Sequence, residues 1–139
     1  MGEHLAAFAI INLGWRCVQC PQDGIDLLAF DGNIFMRVQV KSAQLRAQKD
    51  RHTPSYHHQL GSGRQKKTRP DPEVFDILAR VALDCRRVFF TPAVQMSKLS
   101  ERRSPEFFAT PNLEADSWRH SVQTVLESRR DGLVPICEF

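Results

Sequence analysis

Asp26, Gln39, Val40 and Lys41 are the residues of this sequence whose types and spacing suit chemistry. A carboxylate, an amide oxygen and the main-chain carbonyl of Val40 are hard oxygen donors, the kind that Mg²⁺ takes while it keeps several waters. A lysine two residues beyond Gln39 can orient a hydroxide, or stabilise the charge that develops on a phosphate during in-line attack. Asp26 sits inside an apolar run, where a charge is costly unless it is paired or metal-bound. The competing role for it is a salt bridge to Arg37 or Lys41. Asp23 is a different case, because it lies in the turn Pro21-Gln22-Asp23-Gly24, where aspartate is common for backbone reasons.

A β-hairpin must bring these groups together. Ile25 to Phe30 and Ile34 to Val40 are strand-length apolar runs on either side of Asp31-Gly32-Asn33, a strong short-range hairpin signal. With Gly32 and Asn33 central in a type II′ turn, Asp31 pairs with Ile34, Leu28 with Arg37, and Asp26 lies opposite Gln39, their Cβ atoms about 4.5–5.5 Å apart. An Asp31-Gly32 type I′ turn would set Asp26 opposite Arg37 instead. In either register Asp26, Arg37, Gln39 and Lys41 share one face, while Ile34, Met36, Val38 and Val40 form a core face.

Gly24-Ile25-Asp26-Leu27-Leu28 followed by Val38-Gln39-Val40-Lys41-Ser42-Ala43 resembles the PD-(D/E)XK nuclease superfamily. It is most similar to the branch with Gln as the second acid, typified by endonucleases associated with group I introns, and more distantly to archaeal Holliday-junction resolvases. Gly2-Glu3 opening a first helix that ends at Gly14-Trp15, and Phe75-Asp76-Ile77-Leu78 with Val88-Phe89-Phe90-Thr91-Pro92, extend the match to about Ala93. The resemblance implies a restriction-endonuclease-like α/β core, a mixed and mostly antiparallel sheet flanked by helices. It implies Asp26 and Gln39 as metal ligands, Lys41 as the catalytic lysine and Glu3 as the acid of the first helix. Gln39 in place of the commoner Glu lowers the negative charge of the site.

At 139 residues the chain is expected to be one domain, 1–139, with a real core. Its 42% hydrophobic and 25% charged residues match an ordinary globular protein. Leu5 to Leu13 has no basic segment before it, so it does not read as a signal peptide, and no apolar run is long enough to span a membrane. Four cysteines are too few for a disulfide scaffold, which fits a cytoplasmic protein. Cys17 and Cys20 are spaced oddly along a strand, so their thiols point to opposite faces and read as structural rather than zinc-binding.

Charge is unevenly placed. Lys41, Arg46, Lys49, Arg51, Arg64, Lys66, Lys67 and Arg69 are opposed between 41 and 70 by Asp50 alone, although the whole chain carries only +3. This asymmetry points to a polyanion on one surface. The segment at about 42–73 is polar and turn-rich, with Ser55 to Leu60 as a short strand, and reads as a basic loop that grips the phosphate backbone of DNA through Arg46, Lys49, Arg51, Arg64, Lys66, Lys67 and Arg69. A solvated loop without a ligand is the bland alternative. His57 and His58, adjacent on a strand, point opposite ways, so at most one can serve a site.

Helix one spans Glu3 to Leu13 and is apolar nearly all round, so it should be covered on two sides, by the sheet and by a second subunit. Trp15 to Gln19 is a first strand, and Phe75 to Leu83 with Arg86 to Thr91 form a hairpin turning near Asp84, in which Asp76 pairs with an arginine. Met96 to Phe108 holds a short helical turn. Trp118 to Arg130 is a helix that Asp116 can cap.

The resemblance implies a metal-dependent DNA endonuclease hydrolysing phosphodiester bonds, with Mg²⁺, or Mn²⁺ in its place, held by Glu3, Asp26, Gln39 and Val40. Cutting both strands requires two sites, hence a homodimer or higher homo-oligomer. The alternative is a non-catalytic nucleic-acid-binding module on the same fold.

Overall fold

In the computed structural model the described residues are 1–48, 51–61 and 68–131, with the backbone alone at positions 21, 48, 51 and 52. Lys49, Arg64, Lys66 and Lys67 of the expected DNA-binding set, and the side chain of Arg51, therefore lie outside the described residues.

The chain runs α1 (Gly2–Asn12), β1 (Arg16–Gln22), β2 (Ile25–Asp31), β3 (Ile34–Ala43), β4 (Leu45–Gln48), β5 (Arg51–Gln59), β6 (Ile77–Ala82), β7 (Arg87–Pro92), a 3₁₀ turn (Ala93–Gln95), β8 (Ser100–Arg103), α2 (Pro105–Phe108) and α3 (Leu113–Arg130). Five strands form a mixed sheet in the order β1-β2-β3-β6-β7, in which β3 and β6 are parallel and the other pairs antiparallel. This is the mixed, mostly antiparallel sheet flanked by helices that the sequence leads one to expect.

The central hairpin takes the type II′ register: Asp31 pairs with Ile34 and Leu28 with Arg37. Gly32 supplies the positive φ of +58° that the first central residue of such a turn requires. The α1 helix ends in a Schellman motif, with the Gly14 amide donating to Ile11 O at 2.9 Å and the Trp15 amide to Ile10 O at 3.3 Å. Gly14 can take its φ of +93° because it has no Cβ.

Both long helices lie on one face of this sheet. Ala6 and Ile10 of α1 and Trp118 and Val125 of α3 are buried against Leu27, Ala29, Met36, Val38, Ala79, Val88 and Phe90. The Trp118 ring meets Trp15 and Phe90 edge-on at 5.1 and 4.9 Å between centroids, an arrangement aromatic quadrupoles favour. The other side of α1 is uncovered, leaving Phe8 66% and Ile11 53% exposed. Helix α3 begins four residues earlier than Asp116 would dictate as a cap. Asn112 precedes it in the left-handed conformation, and Asp116 sits in the first turn, where its charge complements the helix dipole. Among the described residues no helix is long and apolar enough to cross a membrane.

The opposite face is roofed by a second antiparallel sheet, β4-β5-β8. The segment expected as a basic loop thus contains two strands, and its short strand at Ser55 extends over Arg51–Gln59. Tyr56, His58 and Leu60 alternate inward and are buried, while Ser55, His57 and Gln59 point away. A histidine at the middle inward position hides the period-two signal that an apolar residue would have shown there.

Candidate active site

Past Leu27 and Val38, the last pair of the β2–β3 ladder, the next facing residues are Asp26 and Gln39. Here a side chain replaces the ladder: the Val40 amide donates to Asp26 Oδ2 at 2.7 Å. That bond fixes the carboxylate against the strand that carries Gln39 and Lys41. A strand residue points its N–H and C=O toward the same neighbour, so the Val40 carbonyl is directed to the Asp26 side as well.

Gln39 is buried, 7% exposed, and its Oε1 has no hydrogen-bond partner among the described residues. Leaving such an acceptor unsatisfied costs about 1–3 kcal/mol. The donor set that meets at this end of the hairpin is therefore one carboxylate, one orphaned amide oxygen and one main-chain carbonyl. These are hard oxygen ligands, and they fit Mg²⁺ or Mn²⁺.

Lys41 lies two residues further on the same face and is half-buried. Its neighbour across the parallel β3–β6 pairing is Arg80, a residue that sequence reasoning did not place here. The Arg80 guanidinium, 3% exposed, lies 3.1 Å from Glu101, donates to Thr91 Oγ1 at 3.0 Å and stacks over Phe89 at 5.1 Å. Burial lowers its pKa while Glu101 opposes the shift, and a guanidinium so paired remains a cation. The signal was non-local: β3 and β6 are parallel and joined through β4 and β5, and nothing in the spacing of Lys41 and Arg80 gives their register.

Among the described residues the ion pair of Arg37 is with Asp76 and not with Asp26. The Arg37 side chain meets Asp76, with Nε 3.1 Å from Oδ2 and Nη2 3.0 Å from Oδ1, and reaches the Glu73 and Pro72 carbonyls. Arg129 of α3 adds a second cation, 3.2 Å from Asp76 Oδ2. Asp76 is thus the structural partner of two arginines, one from the hairpin and one from the last helix.

Glu3 is exposed in the first turn of α1. That helix begins directly on β3: a β-carbon at Gly2 would collide with the Ser42 hydroxyl and stand 3.6 Å from Val40 Cγ1. Ser42 and Val40 point to the helical face, so Glu3 approaches from the opposite side of the sheet to Gln39 and Lys41. Among the described residues no three His, Cys, Asp or Glu side chains converge to hold a metal.

Of the expected DNA contacts, Arg46 is exposed on β4 and Arg69 is exposed before Pro70. His58 is fully buried, its Nε2 3.0 Å from Val81 O, and burial lowers its pKa. It is a neutral core histidine and takes no part in the site. Cys17 and Cys20 are free thiols, and burial pushes Cys17 up to about 11, far from the thiolate that a metal would take.

No protein-family model matches the sequence, and no curated protein matches it. Among solved structures, a bacterial homing endonuclease, I-Ssp6803I, is similar over 92% of this chain and 93% of that one, with a TM-score of 0.65 and 16% sequence identity. At that identity the likeness is one of fold, and the chain has a nuclease-like fold.

Proposed function

We propose that the protein is a metal-dependent DNA endonuclease of the PD-(D/E)XK type that hydrolyses phosphodiester bonds. The observation that carries this reading is the buried, unpartnered Gln39 Oε1 facing an Asp26 carboxylate that the Val40 amide holds in place. A fold shared with a homing endonuclease supports it.

Asp26, Gln39 Oε1 and the Val40 carbonyl would hold Mg²⁺, or Mn²⁺, without Glu3, which stands exposed on the other side of the sheet. When bound, the ion supplies a Lewis acid for the phosphate and lowers the pKa of water. The Lys41 ammonium, on the face of Gln39, orients the attacking water and balances the charge that builds on the non-bridging phosphate oxygens. Arg80, held by Glu101 and Thr91, keeps a second positive charge beside Lys41 without being free to move. The water oxygen forms the new bond to phosphorus and gives a proton to the solvent, the bond from phosphorus to the sugar oxygen breaks, and that oxygen takes a proton from the solvent to leave as a hydroxyl.

The exposed Phe8 and Ile11 on α1 support a second copy of the chain as the cover for that face, and two sites suit two strands. Sedimentation at several protein concentrations tests it, since a two-fold dimer gives twice the monomer mass.

The deciding experiment is incubation of wild type and Asp26→Ala with supercoiled and branched DNA, with Mg²⁺ or Mn²⁺ and with chelator. Cleavage that needs both the metal and Asp26 is expected. Binding without cleavage on every substrate would replace this reading with a non-catalytic nucleic-acid-binding module.

A further inference from the structure

We infer that the outer face of the β4-β5-β8 sheet is the surface that holds duplex DNA, with Arg46, His57 and Arg102 on its phosphate backbone, an inference that rests on the nuclease reading. The register divides this sheet cleanly. Leu45 pairs with Tyr56, Tyr56 with Arg103 and His58 with Glu101, and this set faces the main sheet, where Tyr56 packs on Phe108 and Glu101 meets Arg80 and Arg103. Arg46 pairs with Ser55, His57 with Arg102 and Gln59 with Ser100, and this set faces out.

Every side chain in the outward set is basic or neutral and polar. The carboxylate of the sheet, Glu101, is turned inward onto two arginines, and the nearby Asp84 accepts the Leu45 amide at 3.1 Å. Neither Arg46 nor Arg102 has an ion pair among the described residues. Facing cross-strand pairs stand about 5 Å apart, so His57 and Arg102 are immediate neighbours, with Arg46 one pair along the sheet.

This face carries a groove. It measures about 630 Å³, begins at Ser42 and Gln44, directly after Lys41, and runs between Leu83 and Arg46, Ser55 and His57. The outward set also contains no Phe, Tyr or Trp ring, since the tyrosine of β5 is turned into the core. Proteins that hold single strands stack bases on exposed aromatics. A face of cations and small polar groups without such a platform suits the paired backbone of a duplex.

The experiment is equilibrium binding of a 30-base-pair duplex, and of one of its strands, in chelator so that no cleavage occurs, at several salt concentrations. The proteins are wild type, Arg46→Ala, Arg102→Ala, Arg102→Lys and, as a distant control, Arg119→Ala on exposed α3. Wild type should bind duplex more tightly than single strand. Each alanine on the sheet should reduce the slope of log K against log salt by about 0.9, whereas Arg102→Lys and Arg119→Ala should leave it unchanged. Thermal melts of each variant show that it is folded. Equal slopes for wild type and both sheet alanines, a preference for the single strand, or no duplex binding at all would overturn the inference. Weakened duplex binding by the two alanines, with no cleavage by wild type when metal is added, would uphold it while removing the nuclease reading.

Discussion

The Asp26 carboxylate accepts the Val40 amide at 2.7 Å, so the carboxylate expected to bind metal is also part of how the hairpin closes. The two roles separate by substitution. In Asp26→Asn the side-chain oxygen can still accept the Val40 amide, so the fold should stay within a few degrees of wild-type Tm. Cleavage should fall at least 100-fold, because a neutral amide is a far weaker ligand for a hard divalent ion. Asp26→Ala should lose activity equally and also about 1–2 kcal/mol of stability, the worth of a partly exposed hydrogen bond to a charged group. Urea melts alongside a plasmid-nicking assay check both. Retained cleavage in Asp26→Asn would remove Asp26 from the metal site.

Gln39 makes the opposite trade. Its Oε1 is buried without a partner, so Gln39→Leu, close in volume, removes an unsatisfied acceptor and should leave stability in chelator unchanged or raised by about 1 kcal/mol. The same change should abolish cleavage and the rise in Tm that Mn²⁺ gives wild type. A clear loss of stability in chelator would mean that Gln39 has a structural partner and is not an open ligand.

The hairpin was legible in the sequence because everything that sets it is local. Asp31-Gly32-Asn33 narrows the turn to two registers that share one face, the observed one sets Leu28 opposite Arg37, and Asp26 and Gln39 follow by counting. The second hairpin, β6–β7, was legible for the same reason. What escaped depends on pairings between distant segments. Arg80 reaches Lys41 only through the parallel β3–β6 register. The second sheet needs β8, which comes after the whole of the main sheet, and its central strand carries Pro54 and three histidines, residues that read as loop until burial shows which way His57 and His58 point. Asp76 was recognisable as a charge needing an arginine, but that its partners are Arg37 and Arg129 depends on where α3 docks.

Asp76, whose side chain is fully buried between Arg37 and Arg129, should be the most costly polar residue to truncate. It also accepts the Arg37 amide at 2.8 Å, so Asp76→Ala leaves two part-buried guanidiniums and an amide without their acceptor. A loss of about 3–5 kcal/mol is expected, and Arg129→Ala, which keeps the Arg37 pair, should cost less. Urea denaturation measures both. If Asp76→Ala unfolds within 1 kcal/mol of wild type, the contact between α3 and the hairpin is not held by this cluster.

His58 should give the fold a dependence on pH. The imidazole is fully buried, near Arg80, His57, Glu101 and the Phe108 ring, with Nε2 3.0 Å from the Val81 carbonyl. A carbonyl can only accept, so Nε2 carries the proton; the buried Nδ1 has no partner among the described residues to accept a second one, and the ring is neutral. Burial lowers the folded-state pKa below its ordinary value of 6.5. The unfolded chain therefore takes up a proton first as pH falls. The stability from neutral His58 is complete above about pH 6.5 and is lost as pH drops through that value toward the lower folded pKa. In His58→Gln, the side-chain amide can donate to Val81 without titrating. Its urea midpoint should be lower than wild type at pH 8, since glutamine fills the site less well, and the gap should narrow between pH 7 and pH 5. A constant gap across that range would mean that His58 is protonated equally in both states, and that its hydrogen bond to Val81 does not depend on a neutral ring.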